Sequence, residues 1–162
     1  MQKLSHLLLL TLFVGGSYRT VAQTAVSDKA VLLNIHAIGT DRAAVRATRD
    51  FWLQAGDQKQ EQWYKLSQGY LAEYTEGRTK VLYRYDAKGN WLFCLLTYSE
   101  KELPEAVRTL VRSTYFDYTI HWAKEVRNDE GTSYVVHIED SSSWKDVVVR
   151  DGEMRVLHEY VF

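Results

Sequence analysis

Apolar positions in this chain recur every second residue in some stretches and every third or fourth in others, and the switches between periods mark its elements. Period two dominates in residues 63–66, 70–74, 80–85 and 91–98, and again in 120–127, 133–139, 144–150 and 153–161. These runs are rich in valine, leucine, tyrosine and tryptophan. Turn residues separate them, at Gly69, Glu76-Gly77, Asp86-Ala87-Lys88-Gly89-Asn90, Asn128-Asp129-Glu130-Gly131, Ser141-Ser142-Ser143 and Asp151-Gly152. The pattern predicts two sets of four strands. Asp151-Gly152 in particular predicts a tight hairpin, because both central residues of that turn need positive φ.

A helical period precedes each set. Over residues 41–54, Thr40 or Asp41 can cap the start, and Ala44, Ala47 and Phe51 share a face with Thr48 and Trp52 beside them. From Pro104, suited to a first helical turn, Val107, Leu110, Val111, Thr114 and Tyr115 follow the spacing of a helix with one apolar face. The chain therefore repeats itself at an offset of about 62 to 65 residues. The fold class this predicts is α+β, a tandem repeat of a helix packed on a four-stranded antiparallel sheet, with residues 40–99 as the first unit and 100–162 as the second. Residues 23–39 have neither clean period and read as an ordered lead-in.

Strand alternation assigns faces. Tyr134, Val136 and Ile138 point one way and are expected under the helix, while Val135, His137 and Glu139 point the other. By the repeat, Tyr70, Ala72 and Tyr74 take the core side, and Leu71 and Glu73 the open side. Trp122 is assigned to the core with most of the other aromatics. An antiparallel sheet commonly leaves one face open, and such a face is available for binding.

Several of these residues resemble a known family. Leu103-Pro104 opening a helix, the strand from Ile120, residues 134–140, residues 144–149 and Asp151-Gly152-Glu153 are similar to the PepSY-like exported proteins described as β-lactamase-inhibitor-like (BLIP-like). Residues 73–77, 85–91 and 98–104 resemble the first half and junction of the same proteins. The resemblance spans most of the chain beyond residue 22. It implies the tandem helix-on-sheet fold, a periplasmic or secreted address, and a binding or inhibitory role, and it carries no catalytic residues with it.

The first 22 residues change the picture of location. Lys3 precedes the apolar run of residues 7–14, small residues follow to Ala22, and the whole has the order of a secretory signal. The apolar run falls well short of the roughly twenty residues a permanent span requires. Thr20-Val21-Ala22 suits cleavage, no cysteine follows for lipid attachment, and no stable membrane insertion is expected after removal. Cleavage would take two of the 20 basic residues, Lys3 and Arg19, and none of the 21 acidic ones. Without a basic excess there is no electrostatic footprint for nucleic acid. A hydrophobic content of 46% with a single proline argues against disorder. Cys94 is the one cysteine, so no internal disulfide can form, and its apolar neighbours make it a small buried hydrophobe.

Candidate chemistry is sparse. His137 and Glu139 on one strand, with His121 across the sheet, are the nearest approach to a zinc set, yet they lack short-spaced partners and read as surface residues. No metal and no cofactor is expected. The Ser141-Ser142-Ser143 run lacks a nucleophile elbow, residues 86–90 lack the acidic spacing of a calcium loop, and no phosphate-binding glycine motif occurs. What remains is aromatic. Trp63 and Trp144 lie at strand starts, where tryptophan can anchor a partner. The expected function is that of a non-enzymatic binding protein for an envelope or extracellular protein or peptide, using Trp144, His137, Glu139, Glu73, His121 and Trp63. The alternative is a small-molecule or lipid binder with a pocket between helix and sheet.

Overall fold

A computed structural model describes residues 31–33, 41–56 and 60–162. The expected signal segment, and most of the lead-in, lie outside the described residues. The elements are β1 (Val31–Leu33), α1 (Arg42–Ala55), β2 (Gln62–Leu66), β3 (Gly69–Glu76), β4 (Thr79–Tyr85), β5 (Trp91–Tyr98), α2 (Glu105–Thr114), β6 (Thr119–Asn128), β7 (Gly131–Glu139), β8 (Ser143–Arg150) and β9 (Glu153–Val161). A short 3₁₀ turn, Glu100–Glu102, leads into α2.

The strands form one antiparallel sheet of nine, in sequence order from β1 to β9. This corrects the expectation of a tandem of helices on separate four-stranded sheets. The two halves are fused, because β5 pairs with β6 from Cys94 opposite Arg127 to Tyr98 opposite Ala123. The physical reason is the cost of an edge. Two separate sheets would leave β5 and β6 each with a row of unpaired backbone groups, and joining them satisfies both. A repeat in the sequence identifies the elements but not which edges meet.

Both helices lie on one face. Ala44, Ala47 and Phe51 of α1 pack on Trp63, Tyr70, Ala72, Val81, Tyr83, Tyr85 and Cys94. Phe51 meets Trp63, Tyr74 and Tyr83 edge-on, with centroids 5.3, 6.0 and 5.1 Å away. Val107 and Val111 of α2, with Leu103, pack on Tyr98, Ile120, Ala123, Val136, Ile138, Val147 and Val149. Leu96 touches both clusters, so the two helices share one continuous layer under the sheet.

The start of α1 is set by Asp41. Its Oδ1 accepts from the backbone of Ala43 and Ala44 at 3.1 and 3.3 Å, and the Tyr70 hydroxyl donates to its Oδ2 at 2.7 Å. These bonds, led by that from Tyr70, hold the carboxyl down at about 2. Gly89 lets the β4–β5 turn approach the same helix end, since a Cβ there would lie 2.1 Å from the Ala43 carbonyl oxygen. At the far end of the sheet, Asp151 and Gly152 both have positive φ, as the tight hairpin requires.

Three irregularities interrupt the ladder, between Arg84 and Tyr85, Ile120 and Trp122, and Asp146 and Val147. Two of them decide what the open face displays.

Candidate functional site

From the turn at Asn128 and Gly131, β6 and β7 pair regularly down to Trp122 opposite His137. The bulge then intervenes, and Ile120 falls opposite Ile138. Alternation counted from Ile120 puts Trp122 in the core, whereas the bulge turns it to the side away from the helices. That corrects the core assignment of Trp122. Ala123, its neighbour, takes the core position instead.

The second bulge acts on β9. The Asp151-Gly152 hairpin pairs Arg150 with Glu153 and Val149 with Met154, and the same register carried along would set Trp144 against Glu159. The shift between Asp146 and Val147 makes Tyr160 the partner of Trp144 and His158 the partner of Asp146. Two aromatic residues on different strands are thereby brought to one row.

The outcome is a stripe of rings across four strands on the open face. Trp122 stacks on His137 with centroids 4.8 Å apart and planes within 1°. His137 is 5.5 Å from Trp144, Trp144 is 6.2 Å from Tyr160, and Tyr160 is 6.1 Å from Phe162. The Lys124 ammonium sits 4.8 Å above the Trp122 ring. Exposure grows along the stripe. Trp122, His137 and Trp144 are half-buried, and Tyr160 and Phe162 are 56% and 66% exposed. Large exposed rings in a contiguous row are the kind of surface that a protein partner covers.

A carboxylate lies beneath the stripe. Asp146 is 0% exposed although it points to the open side, and His137 Nδ1 donates to its Oδ1 at 2.7 Å. His158 Nδ1 stands 3.7 Å from its Oδ2. Beside the stripe, His121 Nε2 and Glu139 Oε2 are 3.7 Å apart, and both side chains are substantially exposed.

Of the residues expected to bind, His137 and Trp144 lie in the stripe, and His121 and Glu139 flank it. Glu73 is on the open face but on β3, three strands from the nearest ring of the stripe, and Lys80 pairs with it there at 2.8 Å. Trp63 is elsewhere. It lies opposite the small Ala72 and is buried under α1 at 2% exposure, so its place as a rim anchor is corrected to one in the first core. Asp146, His158, Tyr160 and Phe162 were not foreseen, although the alternation Trp144, Asp146 on β8 held a signal for one of them.

Two concavities are lined by polar side chains. One runs along α2 at Glu105, Arg108, Thr109, Arg112 and Ser113, the other over β2–β4 at Gln62, Glu73, Thr75 and Lys80. Neither is an apolar cavity between helix and sheet. Among the described residues no three histidine, cysteine or acidic side chains converge on a common metal position, and no helix is long and apolar enough to cross a membrane.

No family model and no curated protein matches the chain. Solved structures do. A BLIP-like protein from Bacteroides fragilis aligns with a TM-score of 0.58 at 21% identity, over 72% of this chain and 84% of that one. A DUF2874 family protein from Bacteroides uniformis aligns with a TM-score of 0.57 at 10% identity, over 72% and 87%. A candidate periplasmic protein from Bacteroides eggerthii gives 0.56 at 12%, over 72% and 86%. The fold is BLIP-like. At such identities the likeness extends to the fold alone, and it does not bear on the PepSY side of the resemblance.

Proposed function

We propose that this chain is an exported, non-enzymatic binding protein that takes a protein or peptide partner on the open face of its sheet. The observation that carries this reading is the stripe of Trp122, His137, Trp144, Tyr160 and Phe162, built by two bulges on the face that neither helix covers. Aromatic side chains at an interface centre supply large apolar area at little cost in rotamer freedom, and tryptophan and tyrosine dominate measured binding hot spots. Here Trp144 is held on both sides, between His137 and Tyr160, so its orientation is set before a partner arrives. The polar groups around it, Lys124, His121 and Glu139, form a rim that can give direction and specificity.

The signal-like N-terminus and the candidate periplasmic neighbour support a periplasmic or secreted setting, and the BLIP-like neighbour supports an inhibitor-like role for the bound state. Affinity capture from an envelope extract tests the docking face. The wild type is compared with Trp144→Ala/Tyr160→Ala on the stripe and with Leu53→Ala, an exposed residue of α1 on the opposite side. A hot-spot tryptophan contributes about 2 kcal/mol or more, so capture of a wild-type-specific partner falls at least about thirtyfold in the stripe variant and is unchanged by Leu53→Ala. A folded stripe variant that captures its partner as well as the wild type refutes the reading.

A further inference from the structure

His137 on β7, Asp146 on β8 and His158 on β9 lie directly opposite one another on adjacent strands, forming a row across the open face. The central carboxylate is removed from water, an arrangement that folded proteins reserve for paired charges. Only half of it is paired. Oδ1 accepts from His137, but Oδ2 is buried without a hydrogen-bond partner, and so is His158 Nδ1, 3.7 Å away. Two unpaired buried polar atoms that face each other across a gap just beyond hydrogen-bond length lack only a proton and a small approach.

The gap lies at a sensitive place. β9 is the last strand of the sheet and pairs on one side only. His158 sits between the bulge and Tyr160, so whatever fixes its ring to Asp146 also fixes the end of β9 that carries Tyr160 and Phe162. Imidazole is the side chain whose charge changes between about pH 5 and 8. With a proton on both nitrogens it can donate to Oδ2 as a charged donor, and such bonds are roughly twice as strong as neutral ones. We infer that His158 is a proton-operated clasp, which closes onto Asp146 in mild acid and fastens the exposed end of the aromatic stripe to the sheet.

The surrounding charges oppose one another. Glu139 of β7 and Asp146 itself are acidic, Lys124 of β6 and Arg155 of β9 are basic on the same face, and His121 and His137 lie nearby. Tyr160 adds a phenol within the stripe itself. Lys145 and Glu159 pair with each other on the helix side of β8 and β9, away from the clasp. As a control on partner docking the clasp rests on the reading proposed above; as a property of the free protein it does not.

The experiment uses the free protein, with amide hydrogen exchange of β9 referred to β4 and corrected for intrinsic rates at about pH 5.5 and about pH 8. In the wild type, protection of β9 is at least about fivefold greater at the lower pH. His158→Gln, which cannot titrate, removes that difference. A wild type with equal β9 protection at the two pH values overturns the clasp, as does a His158→Gln protein with the wild-type difference. Should that variant not fold, nitrogen-15 spectra of the wild-type imidazoles decide. A slowly exchanging Nδ1 proton on His158 in acid supports the clasp, and a freely exchanging one overturns it. Neither measurement involves a partner, so a clasp that fails leaves the docking face standing, and a face that binds nothing leaves the clasp standing.

Discussion

Replacing Trp122 with alanine separates the two placements of that ring by its effect on stability. On the open face it loses a stacked contact with His137 at 4.8 Å and a cation contact with Lys124 at 4.8 Å. An aromatic pair contributes about 0.5–1.5 kcal/mol beyond its area, and an exposed cation–π contact about 0.5–1 kcal/mol. Solvent can fill the space left behind, so no enclosed cavity adds to the loss. These two contacts together contribute about 1–2.5 kcal/mol, to which the covered part of a half-buried ring adds. A core ring behaves otherwise. Phe51 is fully buried and edge-packed by three aromatic neighbours, and Phe51→Ala should cost about 3–5 kcal/mol. Guanidinium unfolding followed by far-ultraviolet circular dichroism avoids the altered tryptophan signal and gives both values. A double-mutant cycle with His137→Ala should then return a coupling of about 0.5–1.5 kcal/mol. If Trp122→Ala proves as costly as Phe51→Ala, with no coupling to His137, the ring is in the core and the bulge at Ile120 is wrongly placed.

Other consequences are open to the same kind of measurement. Asp41→Ala removes the cap of α1 and should cost about 0.5–2 kcal/mol near neutral pH. Because the folded carboxyl is held down at about 2, below its ordinary 3.8, this contribution is full above about pH 5 and disappears as pH falls through 2. Stability curves for wild type and variant should therefore converge in acid, and a constant gap down to about pH 2 would count against the cap. Cys94 is buried, and burial pushes its thiol up to about 11, so alkylating reagents should leave it unmodified in the folded protein and label it on unfolding. Rapid labelling of native protein would contradict that placement. Gly89→Ala drives a methyl into the Ala43 carbonyl at a position of positive φ. A loss of about 1–3 kcal/mol, with weakened protection in the first turn of α1, should follow, and a neutral substitution would show that the β4–β5 turn does not touch the helix.

Much of the local structure was legible because it depends on neighbours in the sequence. The helix over Ala44, Ala47 and Phe51, the alternation of Tyr134, Val136 and Ile138 against Val135, His137 and Glu139, and the Asp151-Gly152 turn all follow from rules that act within a few residues. The joining of β5 to β6 did not, since edge pairing is decided between segments about thirty residues apart. The stripe was hidden for a related reason. It lies beyond two bulges, and a bulge reverses every side chain after it without any residue that announces it. Trp144 and His137 could be placed because they sit on regular strands, whereas Trp122 and Tyr160 could not. Trp63 misled for a simpler reason, since a tryptophan at a strand start fits a rim as well as a core until the small Ala72 is known to lie opposite it.

The bulge in β9 also bears on how the sheet ends. Arg155 faces Val148 and His158 faces Asp146, so two residues three apart in β9 project to the same side. A regular strand laid along this edge, including a second β9 running the other way, matches that pattern over only half its length. Glu153, Arg155 and Glu159 add charges that an incoming strand would have to accommodate. A meander that could otherwise go on recruiting strands is therefore hindered at β9 by the register of that strand.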